Sequence, residues 1–92
     1  MIQSFKGKSA KVLWEDKRTK LPSDITWRAI KKITILDAAT TIDSVRIPPS
    51  NHLEALTGDR KGQHSVRINN QRRICFRWKD GNVHEIEITD YH

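Results

Sequence analysis

Cysteine is almost missing from this chain: Cys75 is the only one among 92 residues. No internal disulfide can staple the fold, and that usage fits a reducing cytoplasm. No apolar run is long enough to span a bilayer, and the N-terminus lacks the apolar core of a signal peptide, so a membrane location is not expected. No internal repeat or low-complexity segment interrupts the chain. Negative charge is also short: 11 acidic residues face 17 basic ones, for a net charge of +6 and a pI near 9.8. An anionic partner is therefore expected, nucleic acid first and an acidic protein second. His52, His64 and His84 have no metal-ligand spacing, so neither a metal nor a cofactor is expected. At this length the chain is a single domain over residues 1–92 with one modest core.

What is present is concentrated in residues 53–92. They hold five of the eight arginines, three of the four histidines and the only tyrosine. Ile74, Phe76 and Trp78 alternate with Arg73, Cys75 and Arg77, the period of a strand buried on one face. Val66 and Ile68 alternate in the same way before it, as do Ile86 and Ile88 after it. Pairing Phe76 with Ile86 and Ile74 with Ile88 leaves Asp80-Gly81-Asn82 as a three-residue loop. Pairing Val66 with Phe76 and Ile68 with Ile74 closes the other hairpin through Asn70-Gln71-Arg72. The opposite face then collects Ser65, Arg67, Arg73, Cys75, Arg77, Glu85, Glu87, Thr89 and Tyr91. On it Arg77 should meet Glu85 in a cross-strand ion pair. Arg73, opposite Thr89 and diagonal to Tyr91, is expected to be the most available cation.

Upstream, residues 2–5 suit an edge or first strand. Ser9 is a candidate N-cap for a helix over residues 10–16, with Val12, Leu13 and Trp14 packing inward. Residues 17–22 form a basic connector. Ser23 is a second N-cap, with Asp24 placed well for the helix dipole. From there a helix is expected to run to about Val45, with Trp27, Ile30, Ala38, Ile42 and Val45 in one stripe and Ile33 and Leu36 at its side. Ile47-Pro48-Pro49 stops it. Residues 50–62 form a loop that delivers Glu54 to the sheet edge. The expected fold is α+β, β-α-α-β-β-β, a small largely antiparallel sheet with two helices on one face and a basic face open to solvent.

RNA can be cut without a metal by a base for the 2′-OH, an acid for the departing 5′-oxygen and a cation on the phosphate. Glu54, His92 and Arg73 have the right chemistry, although a solvated loop carboxylate and a frayed terminal histidine are the commoner fates of such residues. The sequence stops directly after Asp90-Tyr91-His92, so the end is expected to be anchored. Gly58-Asp59-Arg60-Lys61-Gly62 is too short and wrongly flanked for a nucleotide phosphate loop, and reads as a turn whose two cations suit a backbone phosphate. His64 and His84 are expected to be partly buried packing residues near Trp78, and Cys75 a plain strand residue.

Gly58-Asp59-Arg60, Ser65-Val66-Arg67, Arg73-Ile74-Cys75-Phe76 and the closing Asp90-Tyr91-His92 together resemble the RelE superfamily of bacterial toxins, and within it the HigB branch. The resemblance covers nearly the whole chain. It implies the fold expected above and a type II toxin that cleaves messenger RNA in the ribosomal A site. It also implies a neighbouring helix-turn-helix antitoxin of the HigA kind, which binds the operator. By the same resemblance Arg73 matches the arginine on the scissile phosphate, and Asp90, Tyr91 and His92 match the terminal catalytic cluster. Arg60, Lys61, Arg67, Arg72 and Arg77 are the expected RNA-backbone contacts. Where many relatives read His-Pro-Leu-Lys, this chain reads Glu54-Ala55-Leu56-Thr57, and a common tryptophan is replaced by Arg72. The related YoeB toxins use a glutamate at the Glu54 point, as a base paired with a C-terminal histidine acid. Two rival readings share the same charge: an RNA- or ribosome-binding translation inhibitor that does not cut, and a subunit that serves mainly its antitoxin in operon control.

Overall fold

The structure, a computed structural model, describes residues 1–17 and 21–90. Tyr91, His92 and part of the basic connector lie outside the described residues. Helices α1 (Lys8–Asp16) and α2 (Ser23–Ala38) precede a four-stranded sheet of β1 (Glu54–Ala55), β2 (His64–Arg67), β3 (Arg72–Lys79) and β4 (Asn82–Asp90). The strands lie in sequence order and every pair is antiparallel. The α+β class and the two-helix cover are as expected. The opening strand is reduced: Ile2 and Phe5 make two isolated parallel bridges to Val83 and Ile86 of β4.

Leu13 of α1, Ile25, Ala29, Ile33 and Leu36 of α2, and Val66, Ile74, Phe76, Val83 and Ile86 of the sheet form one buried cluster. The apolar stripe of α2 is therefore not the expected one. Trp27 is 66% exposed, and Ile33 and Leu36, expected at the side, are fully buried. The cause is the length of the helix. It stops at Ala38, and a 3-10 turn over Ile42–Arg46 follows, with the Thr41 side chain accepting from the Ser44 amide. Ile42 and Val45 are thus out of phase with α2. Val12 also faces outward, and the residue that precedes α1 is Gly7 rather than Ser9. Ser23 opens α2 as its first residue, after Pro22.

Strand registers differ from expectation in an informative way. Ile74 does meet Ile88 and Arg73 meets Thr89, but beyond Cys75 the pairing slips to Arg77 with His84 and Trp78 with Val83. Glu85, at φ 52°, is the bulged residue, and its amide donates to Ser4 Oγ at 2.9 Å. The connection is then two residues, Asp80 and Gly81, both at positive φ, instead of three. On the other side Val66 meets Ile74, not Phe76, a shift of two. The turn tightens because Asn69 Oδ1 accepts from the amides of Gln71 and Arg72 at 2.9 and 2.7 Å.

Two polar residues test this packing. Asn51 is fully buried, and its Nδ2 donates to the carbonyls of Val45 and Ile47 at 2.9 and 3.3 Å. Asn51→Ala removes both donors, and a buried carbonyl left without one costs about 1–3 kcal/mol. The melting temperature should fall by roughly 4–8 °C per kcal/mol in a domain of this size. A thermal melt within a degree of wild type would refute the role. His64, as expected, is a half-buried packing residue: its ring stacks on Phe76 at 6.0 Å. Burial, and then the charge of Arg46, hold its pKa below the usual value. A lowered folded pKa means that the unfolded chain takes up the proton more readily. Stability should therefore fall as the pH drops through about 6.5, the unfolded value, and go on falling to the lower folded one. Melts of His64→Gln over this range should show a shallower pH dependence than wild type.

Candidate functional site

The alternation of β3 puts Arg73, Cys75 and Arg77 on the face away from the helices. Pairing carries this face across the sheet in two rows. Glu54, Ser65, Cys75 and Glu87 form one row, and Arg67, Arg73 and Thr89 the next. Adjacent strands lie about 4.8 Å apart, so Glu54 at the edge and Arg73 in the interior converge on the same end. The face is less open than expected. Ser65 and Cys75 are buried, with the Cys75 Sγ 3.4 Å from Thr89 Oγ1. The loop after β1, which includes a 3-10 turn over Gly58–Arg60, reaches this face through Arg60.

Arg60 crosses from this loop to Glu87, with Nη1 2.9 Å from the carboxylate and 3.1 Å from Gln63 Oε1. The Glu87 hydrogen bond raises the Arg60 pKa above its usual value, so the cation is permanent. Beside this strut a cleft of about 270 Å³ is lined by Glu54, Ala55, Leu56, Thr57, Arg60 and Arg73. The structure thus brings together Glu54, Arg73 and Arg60, a carboxylate and two guanidiniums. Arg67 stands directly across from Arg73, which concentrates positive charge along that row. Arg73 is half-buried and makes interactions of its own.

The other candidates are more dispersed. Arg72 and Asp90 pair with each other at 3.6 Å, in the alternation of Ile74 and Ile88, so Asp90 is not on the Arg73 row. Arg77 binds Glu85 at 2.7 Å as expected, although its strand partner is His84. That bulge moves His84 off the apolar parity and onto the Arg77 side. Lys61 is exposed beside Gly62. Gly62 has φ 92°, a conformation that favours glycine, and a Cβ there would lie 2.8 Å from Arg77 Nη1 and push that guanidinium aside. Tyr91 and His92, the remaining candidates, fall outside the described residues. Glu87 and Gln63 were missed as site residues. Their tie to Arg60 spans 27 and 3 positions and has no sequence signature. Among the described residues no three His, Cys, Asp or Glu side chains converge as a metal ion would require, and no helix is long and apolar enough to cross a membrane.

Solved structures with this fold include the YoeB–YefM complex from Staphylococcus aureus. It superposes with a TM-score of 0.57 at 19% identity, covering 100% of this chain and 98% of that one. The YoeB dimer of the same organism gives 0.53 at 20% identity, over 99% and 94%. In sequence, the chain is 45% identical over 83 residues to Toxin HigB-1 of Vibrio cholerae, covering 88% of this chain and 87% of the relative. It is 32% identical over 93 residues to Endoribonuclease HigB of Proteus vulgaris, with both chains fully covered. The family described as RelE-like toxin of type II toxin-antitoxin system HigB matches residues 3–92. The chain therefore belongs to the HigB-like toxins of type II toxin-antitoxin systems.

Proposed function

We propose that this toxin is a ribosome-dependent, metal-independent endoribonuclease that cuts messenger RNA in the cytoplasm and arrests translation. The observation that carries the reading is the cleft holding Glu54, Arg60 and Arg73 on one sheet face, in a chain 32% identical to an endoribonuclease. Glu54 takes the proton from a 2′-OH, and the freed oxygen attacks the adjacent phosphorus. Arg73 stabilises the charge that develops on the phosphate. The bond to the 5′-oxygen breaks, and His92 protonates that leaving group. The products are a cyclic 2′,3′-phosphate and a 5′-hydroxyl. Tyr91 hydrogen-bonds the reacting groups, and Asp90, paired with Arg72 off the Arg73 row, serves only as a positioning residue. Arg60, Lys61, Arg67, Arg72 and Arg77 hold the RNA backbone. Thr57 stands where relatives carry lysine, and Arg60, lining the same cleft, supplies a cation there.

So sparse a set of groups relies on the ribosome to align the 2′-OH, since positioning alone can supply several kcal/mol. The partner that restrains the toxin is a helix-turn-helix antitoxin of the HigA kind, through which alone the toxin meets operator DNA.

The test is single-turnover cleavage of messenger RNA on programmed ribosomes and, separately, free in solution. Wild type should cut on ribosomes and leave naked RNA largely intact. Arg73→Ala should lose about a hundredfold or more in rate, the effect of removing one well-placed donor to a transition-state phosphate. Glu54→Gln should be similarly slow and lose the acidic limb of a bell-shaped pH profile, while His92→Gln should lose the basic limb. Wild-type rates in both Arg73→Ala and Glu54→Gln would sink the assignment. Growth arrest without new 5′ ends inside codons would favour a non-cleaving inhibitor.

A further inference from the structure

A second cationic feature lies on the other side of the molecule. Arg28, Lys31 and Lys32 of α2 line a cleft of about 360 Å³ whose apolar walls are Ile35, Pro48 and Ile68. No carboxylate lines it among the described residues. The cleft is built rather than incidental, because the fully buried Asn51 accepts a hydrogen bond from Lys32 Nζ while its Nδ2 is tied to the Val45 carbonyl. Lys32 is therefore held by a rigid polar anchor beside two exposed cations. Burial, and then the charges of Arg28 and Lys31, lower the Lys32 pKa. An anion arriving among the three would relieve that repulsion.

The position of the cleft says what kind of anion fits. Ile68 forms part of its wall at the end of β2, and its chain neighbour Arg67 stands on the opposite face across from Arg73. The turn that follows returns to Arg72 and Arg73. Arg67 and Arg73 on the site face and Arg72, paired with Asp90, on the other parity thus flank a turn of Ile68, Asn69, Asn70 and Gln71. That turn holds no carboxylate, and the arginines mark a path from the candidate site to the helix side. A point anion would need only one end of such a path, whereas a polyanion uses its whole length. We infer that the Arg28–Lys31–Lys32 cleft is a phosphate subsite for single-stranded RNA that leaves the Arg73 site round the β2–β3 turn. The inference rests on the reading of the protein as an RNA-acting toxin and assigns the course of the RNA beyond the scissile bond.

The test uses the whole toxin and 2′-O-methyl RNA, which has no free 2′-OH to attack, so binding is read without cutting. Fluorescence anisotropy across a salt series is measured for RNAs of about 4 and about 16 nucleotides, the usual span of single-strand sites on one small fold. Arg28→Ala/Lys31→Ala changes two exposed side chains, and its melt should match wild type. With the long RNA its affinity should fall, and the slope of log K against log salt should flatten by about 1.4, at about 0.7 per phosphate contact. With the short RNA the variant and wild type should agree. Equal slopes on the long RNA would overturn the inference. So would a polyglutamate peptide that binds wild type but not the variant while the RNA slopes stay equal, which would assign the cleft to an acidic protein segment. Failure of the ribonuclease reading would appear instead as wild-type cutting by the Arg73 and Glu54 variants, whatever the binding slopes show.

Discussion

The double pairing of β3 is the constraint on which the rest of the structure depends. Arg72–Lys79 is hydrogen-bonded to β2 on one side and β4 on the other. Its alternation cannot be inverted without expelling Ile74 and Phe76, both fully buried, from the core. That same alternation commits Arg73, Cys75 and Arg77 to the opposite face. The core and the candidate site are two sides of one strand. Burying two large apolar side chains contributes several kcal/mol at about 1.5–3 kcal/mol each, and the position of the arginines follows from it.

The outer face is then shaped by devices that act across the chain. The bulge at Glu85 takes up the extra residue in β4 and lets Ser4 satisfy its amide, which ties the N-terminal segment to the hairpin. It also brings Glu85 to Arg77, against which the Gly62 backbone packs. Further along the same loop, Arg60 reaches Glu87 with both side chains about two-thirds or more out of solvent. A pair so sheltered is worth more as a geometric fastening than as net stability, because desolvation offsets much of the attraction. These two fastenings hold the loop to the outer face, where Arg60 lines the cleft with Glu54 and Arg73.

Membership of the HigB-like toxins rests on similarity along nearly the whole chain, whereas the chemistry proposed for it rests on the few residues that line one cleft. By the resemblance, Glu54 is expected to stand where many relatives carry histidine, and Thr57 where they carry lysine. The two residues line one cleft with Arg60 and Arg73, so the Glu54 carboxylate has cations close by. The helix-side cleft extends the same theme, with a buried asparagine in place of a carboxylate as the anchor of its lysine.

The sequence by itself determined the class of the fold, the three main strands and the face of their residues up to the bulge that moves His84, because a period of two is a local property of the chain. It also pointed to Arg73 on the outer face and to Glu54 at the sheet edge. It did not determine register. A slip of two residues between β2 and β3 leaves every side chain on its original face, so the hydrophobic pattern cannot distinguish Val66 opposite Phe76 from the observed Val66 opposite Ile74. The Asn69 side chain decides it by closing the turn early. Nor was the end of α2 legible, since residues 39–45 carry an apolar pattern that suits a continued helix as well as the 3-10 turn that forms. Only the tertiary structure could place Arg60 on Glu87 and gather Arg28, Lys31 and Lys32 beside Ile68. Both depend on contacts between segments far apart in the chain, where no local periodicity reaches.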